Sequence, residues 1–434
     1  MKVFLDVVGC RLNQSEVERI ATVFRALGHE IVPDPASADL AIVNTCAVTV
    51  KAAADSRKQL RRAGREGAKQ VIATGCWATL YPEEAGALDG VTGVITNEVK
   101  DHLVAEVLDL SPEVDESLTL IREPLPGGHG RTRAFIKVQE GCDHHCTYCL
   151  TRLARGKSRS RLWPEVERDI QAALAGGARE IVLTGVQLGG WGHDFSEPQK
   201  LQFLVESALR NGDLRRLRLS SIEPWDIDPL MLELWRDARL CRHLHIPFQS
   251  GDDRVLRAMG RPITVKAYVH LIESIKKAIP KIAITTDMIV GFPGETEEAF
   301  SNTLNVIQEL EFAGGHVFTY SPRPGTAAYK MKGQVPRKVA KERNAALRKV
   351  FQDSGKAYRE RFIGRMCQVL WESSEQMSEG VWQLSGLTDT YIRIYVQEVS
   401  DLWNQITPVM LTGHHQRGNA LDGKLLNSGD TSFK

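Results

Sequence analysis

Along residues 1–110 the chain alternates short aliphatic and β-branched runs with stretches whose apolar positions recur at helical spacing. Lys2–Val8, Leu40–Asn44 and Gln70–Thr74 read as strands, and Ser15–Leu27 and Ala52–Arg65 as amphipathic helices. This rhythm predicts an open α/β sheet, in which ligands collect beyond the carboxyl ends of the strands. Residues 111–130, with Pro112, Pro124, Pro126, Gly127, Gly128 and Gly130, break every periodicity and read as a linker.

A longer strand-then-helix repeat fills residues 131–335. Its strands are Ala134–Gln139, Glu180–Thr184, Leu217–Ser221, Leu244–Gln249, Ala283–Val290 and His316–Tyr320. Helical patterns lie between them at Pro164–Ala175, Leu201–Arg210, Thr264–Ala278 and Thr296–Leu310. Six β/α units predict a partial parallel barrel whose active face is the carboxyl end of its strands. Residues 336–362 form a basic helix, either a solvated face or a nucleic-acid contact. Residues 363–427 turn to short alternating runs, Gln368–Trp371, Val381–Leu384, Tyr391–Tyr395 and Thr407–Leu411, expected to make a small antiparallel β module. A polar tail, 428–434, is expected to fray. The fold class is therefore α/β with a small all-β module at the carboxyl end.

Composition changes this picture little. With 434 residues, 42% hydrophobic and 25% charged, the chain has the make-up of a soluble multidomain protein, and its net charge of +1 must be localised before it says anything about partners. No apolar run is long enough to span a bilayer and no leader pattern opens the chain, so a cytoplasmic protein without membrane contact is expected. In that reducing setting, eight cysteines point to metal ligation or burial rather than disulfides.

Two cysteine sets carry candidate chemistry. Cys142, Cys146 and Cys149 lie in one loop directly after the first barrel strand. Three thiolates are one too few for a closed zinc site, but they suit a four-iron cluster with one iron left open for a small molecule; zinc with His144 or His145 as an outside ligand is the rival. Cys10, Cys46 and Cys76 each follow a strand of the first sheet, which should bring them to one edge. They are either a second three-thiolate set or three buried, inert cysteines. Polar and glycine-rich turns also end the barrel strands: Gly185 and Gln187 after the second, Glu223 after the third, Gln249 and Ser250 after the fourth, and Asp287–Thr296 at the end of the fifth. No serine-protease order, Walker loop or paired carboxylates compete with them.

Cys142-x-x-x-Cys146-x-x-Cys149 after the first barrel strand resembles the radical S-adenosylmethionine superfamily. Cys10-Arg11-Leu12-Asn13-Gln14-Ser15-Glu16, Asn44-Thr45-Cys46-Ala47-Val48, Gly75-Cys76, Gln249-Ser250-Gly251 and Gly291-Phe292-Pro293-Gly294-Glu295-Thr296 narrow the resemblance to its methylthiotransferases. The likeness covers nearly the whole chain, ending in a TRAM-type β module. Cys46-Ala47-Val48-Thr49 and Ser220-Ser221-Ile222-Glu223-Pro224 look most like the branch acting on N6-threonylcarbamoyladenosine in tRNA. The branches acting on isopentenyladenosine tRNA or on a ribosomal-protein aspartate are less similar, and a zinc-containing tRNA-binding protein is the non-enzymatic alternative.

The resemblance implies two 4Fe-4S clusters, one on Cys142, Cys146 and Cys149 and an auxiliary one on Cys10, Cys46 and Cys76. S-adenosyl-L-methionine would serve twice, to methylate sulfur on the auxiliary cluster and to yield the radical that takes hydrogen from adenine carbon 2. Gly185, Gln187, Glu223, Gln249 and Ser250 are the residues expected to contact it. An electron donor such as flavodoxin or ferredoxin is implied, and a monomer is expected. Between Arg131 and Arg161 eight Arg and Lys residues face only Glu140 and Asp143. Arg152, Arg155, Lys157, Arg159 and Arg161 are therefore expected to meet the phosphates of a tRNA anticodon stem-loop, with its unstacked base offered to the pocket. The TRAM-like module, with Trp382, Tyr391 and Tyr395, and the basic helix would grip the stem, although those aromatics suit a core better than a stacking platform.

Overall fold

Strand β1 (Lys2–Val7) turns Val3 and Leu5 to one side and Phe4 to the other, and β3 (Leu40–Thr45) does the same with Leu40 and Ile42 against Ala41 and Val43. Both faces need cover, and helices supply it. Helix α1 (Arg11–Ala26) lays Val17, Ile20, Ala21 and Phe24 on the Val3 face, one stripe at helical spacing. Helix α2 (Val50–Arg65) buries Ala53, Leu60 and Ala63 on the other, where Trp77 also packs. Each fully buried side chain of this size contributes roughly 1.5–3 kcal/mol. The sheet is completed by β2 (Glu30–Val32), β4 (Gln70–Gly75) and β5 (Gly93–Ile95) in the order β2-β1-β3-β4-β5, with every pair parallel. The three-residue strands β2 and β5 were too short to register as periodic runs.

The computed structural model describes residues 1–111, 118–125 and 132–425, which group into two units. Met1–His145 with Cys149–Leu204 form the first; Cys146–Tyr148 with the chain from Val205 onward form the second. Pro112, Pro126, Gly127, Gly128, Gly130, Arg131 and the tail 428–434 lie outside the described residues. The described part of the expected linker is a docked strap. Leu120 is buried in the α1 core, Arg25 donates to the carbonyls of Glu123 and Pro124 at 2.8 Å each, and Arg122 pairs with Glu18. The first unit also holds β6 (Arg133–Lys137), the short antiparallel pair β7 (Gln139–Glu140) and β8 (Arg159–Ser160), the helix Trp163–Ala175, and β9 (Glu180–Thr184), which runs parallel to β6.

In the second unit β10 (Arg216–Leu219) precedes a parallel sheet of β11 (His243–His245), β12 (Ala283–Val290) and β13 (Gly314–Thr319). The expected strand Leu244–Gln249 stops at His245, and Gln249 takes a positive φ of 77°. Helix Arg337–Glu360 buries Ala340, Leu347, Phe351 and Tyr358; its Arg343 is buried too, 2.7 Å from Glu295, and is structural rather than a stem contact. The terminal module is a closed five-stranded barrel, β14 (Met366–Ser378), β15 (Val381–Thr388), β16 (Arg393–Glu398), β17 (Ile406–His414) and β18 (Ala420–Leu425), in the order β14-β15-β16-β18-β17. Arg216 and Arg218 on β10 hold it by donating to the carbonyls of Leu387, Gln368, Thr388 and Asp389. Tyr391 stacks on His243 with centroids 4.7 Å apart, and Tyr395 stacks on His415 at 4.2 Å. The architecture is the expected α/β class with a small all-β barrel at the end. No helix among the described residues is long and apolar enough to cross a membrane.

Candidate metal centre and cofactor site

The strand order β2-β1-β3-β4-β5 reverses direction of winding between β1 and β3, and ligands of such sheets sit beyond the carboxyl ends at that switch point. Cys10 caps α1 just past β1, Cys46 follows β3, and Cys76 opens a helix directly after β4. The turn before Cys10 passes close to Cys46: a Cβ on Gly9, whose φ is +107°, would lie 2.6 Å from Cys46 Sγ. Asn13 ties the strand ends together by donating from Nδ2 to the carbonyls of Val8 and Thr45 at 2.8 and 2.9 Å. The Cys46 N–H is held by Ser56 Oγ at 2.9 Å. Burial pushes the Cys46 thiol up to about 11.

A buried ion network lies beside this edge. Arg155 donates from Nε to Cys76 Sγ at 3.2 Å, from Nη1 to Glu16 and Glu140 at 2.7 Å each, and from Nη2 to Asn13 Oδ1 at 2.6 Å. Lys100 donates to Glu16 and Asn97 at 2.6 Å each, and Lys137 to Glu140 at 3.0 Å and to Asp101. Burial works against every charge here. Even so, Arg155, Lys100 and Lys137 hold the Glu16 carboxyl well below the usual carboxylate range, and Glu16 and Cys76 hold Arg155 well above its ordinary value. Three cations meet three carboxylates, which is the condition for keeping ions out of water.

The second cysteine loop is set by its own turns. Gly141 has φ +71°, and a side chain there would collide with the Lys157 carbonyl. Gln139 Nε2 donates to the carbonyls of Glu140 and Gly141 and to Ser158 Oγ at 2.8–2.9 Å, fixing the loop's root. Cys142 Sγ stands 3.5 Å from Gln187 Oε1, and backbone N–H groups of His144 and Thr151 point at Cys142 and Cys149 sulfur at 3.4 and 3.3 Å. Gly185 packs against Gln139, whose Oε1 accepts from the Gln187 N–H at 2.8 Å. Within the second unit Thr147 bonds to the backbone of Met259, Ala258 and Ala328, and Tyr148 meets Phe292 edge-on.

Also in the second unit, Glu223 does not stand alone. Arg261 grips it through both oxygens at 3.1 and 2.7 Å while stacked 4.6 Å over Trp225, a partner the sequence reading missed. Gln249 and Ser250 are buried, and Ser250 Oγ accepts from the Asp252 N–H. Among the described residues, no three Cys, His, Asp or Glu side chains converge tightly enough to hold one metal ion.

The basic set divides. Lys157 and Arg159 are exposed, and Arg152 is half-buried against His145. Arg155, expected to meet RNA, is instead 4% exposed and committed to the ion network. Arg161 is likewise drawn inward, 2.7 Å from Asp169. The network residues Glu16, Lys100 and Lys137 were not anticipated. The polar residues Asn13, Ser15 and Glu16 at the start of α1, all buried, were the available signal.

Residues 136–307 match the Radical SAM superfamily and residues 2–96 the Uncharacterized protein family UPF0004. The chain is 39% identical over 401 residues to threonylcarbamoyladenosine tRNA methylthiotransferase MtaB of Thermotoga maritima, covering 90% of each chain. It is 34% identical over 420 residues to the protein of that name from Bacillus subtilis, covering 94% of this chain and 93% of the relative. The tRNA-2-methylthio-N(6)-dimethylallyladenosine synthase of Geobacillus kaustophilus is 31% identical over 463 residues, covering 98% of this chain and 82% of the relative. The solved structure of the radical S-adenosylmethionine methyltransferase TsrM from Kitasatospora setae, with tryptophan and a cofactor analogue bound, aligns with a TM-score of 0.57 at 15% identity, over 76% of this chain and 75% of that one. At that identity the likeness concerns the fold alone. Full-length similarity to named methylthiotransferases, on a chain whose cysteines gather at one sheet edge and in one loop, leads to one conclusion: the chain belongs to the radical S-adenosylmethionine methylthiotransferase family.

Proposed function

We propose that this protein transfers a methylthio group to carbon 2 of N6-threonylcarbamoyladenosine in the anticodon loop of tRNA. The observation that carries the reading is the gathering of Cys10, Cys46 and Cys76 at the carboxyl edge of the sheet. Arg155 joins that edge to the short helix Thr151–Arg155, which begins two residues after Cys149. The donor chemistry fits iron–sulfur ligation: three cysteine thiols at each place, with N–H groups aimed at Cys76, Cys142 and Cys149 sulfur.

In this reading Cys142, Cys146 and Cys149 hold the radical-generating 4Fe-4S cluster and Cys10, Cys46 and Cys76 the auxiliary one. When bound, the clusters and S-adenosyl-L-methionine supply the low-potential electron, the hydrogen-abstracting radical and the methylthio sulfur. The chain's residues do the rest by position. Gln139 and Gln187 brace the loop; Gly185, Gln187, Glu223, Gln249 and Ser250 are the residues this reading assigns to the cofactor, with Glu223 held by Arg261. Lys157, Arg159 and Arg152 face the phosphates of the stem-loop, giving affinity without sequence choice. A flavodoxin- or ferredoxin-type donor and a cytoplasmic monomer complete the reading.

The threonylcarbamoyl substrate is preferred over the isopentenyl one because the relatives named for it are 34% and 39% identical, against 31% for the synthase above. Nucleoside mass spectrometry of tRNA from a strain lacking the gene tests it. The methylthio group should vanish from threonylcarbamoyladenosine alone; its loss from isopentenyladenosine instead would reassign the substrate.

A further inference from the structure

One face of the sheet β11–β12–β13 carries polar groups that the cysteine sites do not use. Register places His245 beside Thr285, Asp287 beside His316 and Ile289 beside Phe318, all on one side. Burial along β12 alternates accordingly: Thr285, Asp287 and Ile289 are half-buried, while Ile284, Thr286, Met288 and Val290 are buried. The face is therefore the more open of the two. His245 is fixed, its Nδ1 2.9 Å from Thr285 Oγ1 and its Nε2 3.3 Å from Asp287 Oδ2. That leaves Asp287 Oδ1 buried with no hydrogen-bond partner. Next to it the exposed His316 ring lies 6.2 Å from His245 and 6.4 Å from Phe318, and among the described residues its imidazole makes no hydrogen bond or ion pair. Phe318 itself is 43% exposed.

An unmet buried acceptor, a free imidazole and an apolar ring in one row define a ligand. It must offer N–H or O–H to Asp287, an anion to His316 and a small apolar group to Phe318. A carboxylate on a urea arm has that chemistry; a prenyl chain has none of the polar part and would leave Asp287 Oδ1 buried and unanswered. Asp287 lies four residues before Gly291 on the same chain run, roughly 13 Å deeper than the glycine-rich turn that ends the strand. Its carbonyl accepts from the Gln249 N–H at 2.9 Å, so the row lies directly beside a turn expected to contact the cofactor, where the substrate adenine must also reach. We infer that Asp287, His316 and Phe318 form the subsite that reads the threonylcarbamoyl arm of the substrate adenine, with His316 taking its carboxylate. This rests on the substrate reading above and assigns it to specific residues.

The test uses reconstituted full-length protein and three synthetic anticodon stem-loops, bearing threonylcarbamoyladenosine, its threoninamide analogue and isopentenyladenosine. Fluorescence anisotropy gives affinity, and mass spectrometry gives methylthio product. His316→Ala should weaken the threonylcarbamoyl loop by roughly 10- to 100-fold, the loss of one charge-assisted hydrogen bond. The threoninamide loop, already lacking the anion, should bind wild type and His316→Ala alike, and His316→Gln should recover part of the loss. Asp287→Ala should narrow the preference for threonylcarbamoyl over isopentenyl. Equal losses on the carboxylate and amide loops, or no loss on either, overturn the subsite while leaving the enzyme's function standing. Wild-type protein that modifies neither adenosine overturns the functional reading and the subsite with it.

Discussion

Arg155 Nε lies 3.2 Å from Cys76 Sγ, while the same guanidinium clasps Glu16 and Glu140 at 2.7 Å each. One side chain thus couples a cysteine of the sheet edge to α1, to the end of β7 and to the helix that follows the other cysteine loop. The edge cannot shift without disturbing buried ion pairs.

Removing that link should therefore cost both stability and metal. Arg155→Met takes the guanidinium from Glu16 and Glu140 and leaves them to Lys100 and Lys137, so the loss should approach but not exceed the roughly 3–5 kcal/mol of a fully broken buried pair. Arg155→Lys keeps a charge but loses the planar fork, so it should fall between. Urea unfolding of the metal-free protein and iron content after reconstitution check the order wild type, Lys, Met. A Met variant that unfolds at the wild-type midpoint with full iron would sink the coupling.

Replacing Cys10, Cys46 or Cys76 with Ala should lower iron from about eight to about four per chain, as expected for losing one four-iron cluster. Cleavage of S-adenosyl-L-methionine under dithionite should survive, and methylthio product should not. Ala at Cys142, Cys146 or Cys149 should abolish cleavage as well. Full product from a Cys46→Ala protein would mean the loop acts alone.

Gly141→Ala gives a cleaner probe of the loop. The substitution forces an L side chain to φ +71° and drives Cβ into the Lys157 carbonyl, with backbone on both sides and nothing soft to yield. Such strain costs at least about 1–3 kcal/mol. Reconstituted Gly141→Ala should keep the auxiliary iron and lose the loop's share, seen as a drop in cofactor cleavage per iron.

The strands Glu180–Thr184 and Ala283–Val290 were legible residue for residue, because long β-branched runs bounded by turn residues have few other solutions. The placement of Cys10, Cys46 and Cys76 after β1, β3 and β4 was legible too, since strand ends of a parallel sheet share an edge. What failed was assignment by charge alone. Arg155 and Arg161 read as RNA contacts from a local excess of basic residues, yet their partners, Glu16 and Asp169, lie on other elements, and pairing across elements leaves no trace in local charge counts. Segment 118–125 read as a linker for the same reason. Its Pro and Gly neighbours broke periodicity, while the contacts of Leu120 and Arg122 that dock it are tertiary.

Acid should expose the Arg161 pairing. Burial alone would raise the Asp169 carboxyl, but Arg161 and Arg19 hold it below its usual value. A depressed folded value means the carboxylate contributes stability above its unfolded pKa of about 3.9, and that contribution is lost as pH falls through the folded value. Asp169→Asn should be less stable than wild type by a constant margin near neutrality. The margin should start to narrow below about pH 4, where the unfolded carboxylate takes up its proton, and go on closing as pH falls towards the lower folded value. Denaturant midpoints from pH 7 to pH 3 measure this; a gap that widens on acidification contradicts the assignment.

The same division predicts how tRNA affinity responds to salt. Lys157 and Arg159 are exposed, and Arg159 stands 3.9 Å from Glu140 with its side chain 53% accessible, so both can neutralise phosphates and release counterions. Each phosphate contact contributes about 0.7–0.9 to the slope of log affinity against log salt, so the double variant Lys157→Ala/Arg159→Ala should flatten the slope by roughly 1.5. The loss should be equal for threonylcarbamoyl and unmodified stem-loops, because phosphate contacts carry no base information. Arg161→Ala, by contrast, should lower the unfolding midpoint and leave the salt slope alone, since its guanidinium is spent on Asp169 and Glu165. Anisotropy titrations at four salt concentrations separate the two behaviours. A slope unchanged by the double variant would place the RNA on another face.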